Sequence, residues 1–171
     1  MNNLFEIVAL TAVIGAGATL AMDVWRFFLQ KAFGINSLDL ALLGRWVAYV
    51  FRGRVVHKPI AKSNKISGEL LIGWISHYAI GMTLAGLLPL FYGRVWLSSP
   101  SLLPALTIGI ATVLAPWFIM QPAMGLGIAA RRAQSPFAVR LRNLAIHTVY
   151  AFGLYAAALG LQWLVGTGRS A

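Results

Sequence analysis

LLPALTIGIATVLAPWFIMQPAMGLGIAARR (residues 102–132) runs for twenty-nine residues without a charge and then meets two arginines. A hydrocarbon core ~30 Å thick is crossed by a helix of roughly 20 apolar residues, so the run predicts a membrane span over 102–130 with a basic end. It also holds Pro116, Met120, Gln121, Pro122, Met124, Gly125 and Gly127 where a lipid-facing helix would favour leucine. A straight helix over all of it would measure roughly 43 Å, longer than the core. Pro116 and Pro122 each remove a backbone donor and free a carbonyl one turn earlier. Broken backbone at membrane depth persists only against protein or water. A break near Gln121-Pro122 is therefore expected, bordering a polar pocket.

Three further runs have the same character: about 4–28, 69–91 and 143–165. The chain of 171 residues is 59% hydrophobic and 11% charged, with a mean hydropathy of +0.76. A soluble domain carries about a quarter of its residues charged, so the solvent of this chain is largely lipid. The fold class is all-α: one transmembrane domain, 1–171, with four spans. No cysteine is present, which excludes disulfides, thiolate metal sites and cysteine nucleophiles. No Lys or Arg precedes the first run and Glu6 sits where a basic n-region would be, so the run reads as a retained span and not a cleaved signal.

The 14 basic residues outnumber the 4 acidic ones, and their placement orients the chain. Twelve lie in or beside two linkers, with only Arg94 and Arg169 on the other side. The positive-inside rule then puts both linkers in the cytoplasm and both termini outside. Each cation near an anionic leaflet contributes ~1 kcal/mol of attraction, so anionic lipid is the expected partner and nucleic acid is not needed. In the linker 29–68, Leu38, Leu42, Leu43, Trp46, Val47 and Val50 recur at helical spacing behind a Ser37 cap. An interfacial helix over about 37–50 is predicted, with Arg45 turned toward phosphates. Arg52, Arg54, Arg131 and Arg132 are further candidate lipid or anion contacts. The stretch RGRVVHKPIAKSNKISG (52–68) reads as a flexible loop, with His57 solvated and without a role.

Each span carries a small or polar residue at every fourth position: Thr11, Gly15, Thr19, Asp23; Gly73, His77, Gly81, Ala85; Asn143, His147, Ala151, Tyr155. In the third, Gly109, Thr112, Pro116, Met120 and Met124 share a face. Residues four apart stack on one face, and small ones let membrane helices approach. Close packing explains the glycines, alanines and threonines. It leaves Asp23, His77, Gln121 and His147 unexplained. At ~1.5 Å per residue, these lie about 8, 12, 15 and 8 Å from the basic ends of their runs. A charge at mid-helix costs ~2.5–3.5 kcal/mol on insertion scales and normally faces the bundle. The four are read as a common binding pocket with Met120 and Met124.

Residues 14–25 match 108–117 with a two-residue gap, and His77–Gly81 matches His147–Gly153. The chain thus reads as a possible parallel repeat of two helix–linker–helix halves, and sites form where such halves meet. The segments Ala21-Met22-Asp23-Val24-Trp25, Gly44-Arg45-Trp46, Trp74–Gly81 and Leu114–Gly125, above all Met-Gln-Pro-Ala-Met-Gly, give the chain a resemblance that extends over nearly its whole length. Through them it resembles a bacterial family of small four-span inner-membrane proteins filed as a domain of unknown function. The resemblance implies a bacterial inner membrane and the four spans. It brings no activity and no site residues.

Three functions fit. A pocket open to the cytoplasm could bind or pass a small solute, ion or lipid headgroup, with a homodimer expected because four spans are few for a path. His77 and His147 could hold haem or a metal. Alternatively, the chain organises lipid or binds a partner through its basic linker. Enzyme chemistry ranks last, since no nucleophile–base pair, carboxylate pair or phosphate loop stands out.

Overall fold

A computed structural model describes residues 3–35 and 39–167, with side chains as far as residue 164. The expected Ser37 cap, Leu38 and Arg169 lie outside the described residues. In chain order the helices are α1 (Leu4–Phe33), α2 (Leu40–Val50), α3 (Glu69–Ala85), α4 (Leu87–Tyr92), α5 (Val95–Ser98), α6 (Leu102–Ala111), α7 (Gln121–Ala123) and α8 (Pro136–Thr167). Four of the resulting segments are long and apolar enough to cross a membrane: Leu4–Phe33, Glu69–Tyr92, Leu102–Ala123 and Pro136–Leu164. Only 17–33% of each apolar window is buried inside the molecule. Val8, Leu20, Phe27, Leu71, Phe118 and Leu141 all point outward, more than half exposed. Apolar surface on that scale is unusual for a protein in water, and four such helices suggest a multi-pass membrane protein.

The helix ends follow local chemistry. Asn3 accepts from Phe5 N at 3.1 Å and caps α1, and Gly34, with φ 65°, ends it in the left-handed conformation that glycine tolerates. Glu6 and Lys31 sit at the ends of α1 that the helix dipole favours for their charges. Both α1 and α8 extend beyond the sequence-based limits, α1 by five residues into the linker and α8 back to Pro136.

α1 packs between α3 and α8, and α6 packs against α8. Glycines decide how close they come. A Cβ on Gly15 would sit 2.6 Å from Met82 Cα, and one on Gly81 would overlap the Thr19 side chain. In the second half a Cβ on Gly109 would meet Ala151 Cα at 2.5 Å. In the repeat register, Gly15 opposite Gly81 corresponds to Gly109 opposite Ala151, so the two halves cross at matching positions. Without a hydrophobic drive between helices in lipid, such approach is what makes their contact favourable. The apolar core lies toward the end carrying the termini, where Ile7, Ile14, Ala18, Ala85, Leu88, Trp96, Ile108, Leu154 and Ala158 are buried together. There α4 also touches α6 and α5 touches α1, closing the bundle.

The third span corrects the expected break. The backbone first departs from α geometry at a turn over Thr112–Val113, and residues Pro116–Met120 then form a π turn in which Gln121 N bonds back to Pro116 O. Pro116 has no N–H to continue the ladder, and the wider turn accommodates it. The helix then passes through Pro122 and ends at Ala123, not at 130. Gly125 (φ 97°) and Gly127 (φ 74°) turn the chain out. Ala129 and Ala130 also hold positive φ, 47° and 55°, at a cost of roughly 1–2 kcal/mol each for a residue with a Cβ. Arg140 Nε donates to Ala129 O at 2.8 Å and secures this turn.

The basic end brings one refinement and two reversals. First, the short helix is present as α2 but starts at Leu40 behind Asp39, which accepts from Ala41 N at 2.8 Å. It lies tightly across α3, where Cβ atoms on Gly44 and Gly73 would overlap the carbonyls of Glu69 and Leu40. Second, Arg45 turns inward. It is 4% exposed, donates Nε and Nη2 to the two oxygens of Glu69 at 2.8 Å each, and reaches Ser63 O at 3.2 Å. A guanidinium removed from water needs such a bidentate partner, and the Glu69 hydrogen bond raises its pKa further. Third, the 52–68 loop is docked. His57 N donates to Ala123 O at 2.8 Å and Ile60 N to Met124 O at 3.0 Å, while the His57 ring is 1% exposed.

Candidate functional site

Asp23 on α1 and His77 on α3 meet inside the spans. His77 Nε2 lies 3.1 Å from Asp23 Oδ1, and Arg26 Nη1 lies 2.9 Å from the same oxygen. Facing a carboxylate, Nε2 carries the ring proton. The three side chains retain 13–17% exposure, so the cluster is neither sealed nor solvated. Asp23 Oδ2 is buried without a partner at hydrogen-bond distance, although the Tyr78 phenol is near enough to interact with the carboxylate. Trp74 and Tyr78 flank the imidazole with ring centres 6.3 and 5.7 Å away.

The chain's four carboxylates make this pair informative. Glu6 lies in the first turn of α1, Asp39 caps α2, and Glu69 holds Arg45. Only Asp23 sits within a span away from any helix end. Helix geometry at a terminus does not account for it.

His147 on α8 occupies the matching place in the second half but has a different neighbour. Its Nδ1 lies 2.8 Å from Thr112 Oγ1, and that hydroxyl is within hydrogen-bond reach of Gly109 O. A hydroxyl has one proton; given to Gly109 O, it leaves Thr112 accepting from His147 Nδ1–H. This histidine is 8% exposed. The levels of the two imidazoles are tied together by Tyr150, whose hydroxyl donates to Gly81 O at 2.6 Å. His147 lies three residues from one end of that bond and His77 four from the other, so both sit about one turn toward the basic end.

Equal depth does not make one chamber. Among the described residues no hydrogen bond joins Asp23 or His77 to His147 or Gln121, and His147 faces α6 while His77 faces α1. Ala18, Thr19 and Tyr150, each at most 2% exposed, pack at the α1 interface. Gln121 is 3% exposed with Oε1 unpartnered, and Met124 is buried in the turn that receives the docked loop, with Met120 half-buried beside them. Among the described residues no group of three or more His, Cys, Asp or Glu is arranged to hold a metal ion. Arg52, Arg54, Arg131 and Arg132 are exposed at the basic end; Arg45 is not among them.

Sequence reasoning missed Arg45–Glu69, the docked His57 and the Tyr150–Gly81 bond. A signal existed for the first: with four acids in the whole chain, a glutamate opening a span opposite a buried arginine is a rare opportunity for pairing. No local pattern marks the other two.

The fold and site together define a four-span helical bundle whose halves each bring one histidine to the same depth. The chain belongs to the family described as a protein of unknown function (DUF2938), whose model matches residues 12–161. No curated protein and no solved structure matches it.

Proposed function

We propose that this is a multi-pass protein of a bacterial inner membrane that binds or passes a small ion at Asp23 and His77, with the proton as the simplest cargo. The observation that carries it is the 3.1 Å contact between a carboxylate and an imidazole from separate spans. Ionisable pairs at this depth are costly and commonly mark ion or proton paths. The apolar core toward the termini supports a site opening to the basic end. By the positive-inside rule that end is cytoplasmic, with Arg52, Arg54, Arg131 and Arg132 against anionic lipid and both termini outside. A homodimer supplies the path that four spans alone are few to build. A solute or lipid headgroup is the broader form of this reading. The haem or metal alternative needs His77 and His147 to face one point, and their separate partners give it no support.

The experiment uses proteoliposomes loaded with a pH-sensitive dye under an imposed potassium diffusion potential. Wild-type protein is expected to pass protons well above empty vesicles, Asp23→Asn and His77→Ala to fall at least about tenfold, and His147→Ala to retain most of the flux. Wild-type flux at the empty-vesicle level, or equal flux in all four, sinks the ion reading.

A further inference from the structure

We propose that the loop between α2 and α3 is a binding site for a phosphate-bearing anion, separate from the Asp23–His77 pair and independent of it. The loop encloses an open cavity of about 480 Å³ whose walls include Tyr49, Arg54, His57, Lys58, Lys62 and Ser63. Three cations line it and no carboxylate does. Internal neutralisation is not on offer, because Asp23, Asp39 and Glu69 are engaged elsewhere and Glu6 lies in the first turn of α1, at the opposite end of that helix from the linker. Like charges converging on one concavity focus a positive potential, and an anion from outside relieves it.

The walls are preorganised. The main chain at His57 and Ile60 is bonded to Ala123 O and Met124 O at the end of the third span. A Cβ on Gly125 would meet His57 O at 2.7 Å, so this glycine allows the loop to seat. The opposite wall is held where Arg45 donates to Ser63 O and the Tyr49 hydroxyl donates to Asn64 O at 3.2 Å. The buried His57 ring has Nε2 at 3.2 Å from Arg54 O and Nδ1 at 3.1 Å from Ser63 Oγ, fixing both residues at the rim. Arg54 stands over the Tyr49 ring at 5.6 Å, held by a cation–π contact. A site already ordered loses little freedom on binding.

The donor set selects the ligand. A guanidinium fork matches two oxygens of a tetrahedral anion, and two ammonium groups add point charges. A cavity of this volume lies in the range of small-ligand sites and accommodates a phosphate together with what it esterifies. Such a group reaches the basic end either on a lipid or from solution.

Two titrations of the full chain in maltoside micelles, which contain no phosphate, separate these sources: inorganic phosphate by calorimetry, and phosphatidic acid by retention in native mass spectrometry. Wild type is expected to bind at least one. Lipid alone marks a headgroup site, and inorganic phosphate as well marks a site for the free group. With each surface cation contributing ~1 kcal/mol, removing one weakens binding about fivefold, and Arg54→Ala/Lys58→Ala/Lys62→Ala about a hundredfold. Arg54→Lys/Lys58→Arg/Lys62→Arg keeps the charge and is expected to stay within about tenfold of wild type, so a loss of fold is told from a loss of site. Lys31→Ala removes a charge from the same end, outside the cavity walls, and leaves binding unchanged. No binding of either probe by wild type, or a weakening by Lys31→Ala as large as that of a single cavity cation, overturns the proposal.

Discussion

The two halves of the bundle share a crossing but differ in what they place beneath it. Gly15 opposite Gly81 and Gly109 opposite Ala151 bring each helix pair into backbone contact, and one turn away each pair carries a histidine. In the first half the imidazole meets a carboxylate and stays partly accessible; in the second it meets a hydroxyl and is buried. A common packing solution thus supports one charged contact and one neutral contact. The linkers differ in the same sense. The first is long, folded over α3 and fastened by Arg45–Glu69, while the second is a short glycine turn.

The largest test of this asymmetry is Arg45→Ala. Leaving the partly buried Glu69 carboxylate with only the Ile66 N–H is expected to cost about 3 kcal/mol, at the lower end for a broken ion pair withdrawn from water, read as a lower midpoint of thermal unfolding in detergent. Arg45→Met with Glu69→Leu should recover most of the loss, since a paired apolar replacement strands no charge. Failure of the double variant to exceed the single would mean that the linker does not depend on this pair.

Gly15→Ala and Gly109→Ala probe what the halves share. Each added methyl meets backbone, so each is expected to cost about 1–3 kcal/mol by overpacking, and the two values should agree within about a kcal/mol. A large loss at one with none at the other would break the equivalence of the crossings.

Smaller effects follow for Thr112→Val and Tyr150→Phe. Thr112→Val leaves the His147 Nδ1–H without an acceptor and is expected to cost about 1–3 kcal/mol, with proton flux retained; flux lost here and kept in Asp23→Asn would exchange the roles of the halves. Tyr150→Phe removes one hydrogen bond between them, at about 0.5–1.5 kcal/mol, measured by hydrogen exchange at the Gly81 level.

Much of the fold was legible because lipid imposes a simple rule. Every backbone group in a span must be satisfied within its helix, so length, hydropathy and charge define the segments. The depth of Asp23 and His77 was readable for the same reason, a fixed rise per residue. Their direction was not: Asp23 shares its stripe with Thr19, and spacing alone does not say which neighbouring helix the stripe meets. Pro116 announced a disturbance, yet whether it became a kink, a break or a π turn depended on what packed beside it. The loop around His57 misled most, because polar composition with a proline reads as solvated chain wherever the docking partner is remote in sequence.

By itself, then, the order of residues determined four apolar segments of spanning length, a basic end and a histidine at similar depth in each half, since hydrocarbon thickness and helix rise act on every segment alone. Tertiary structure decided that Arg45 faces Glu69 and not phosphate, that His57 is enclosed, and that the polar side chains pair within halves and do not pool. These outcomes rest on contacts between residues far apart in the chain, whose geometry no local period encodes.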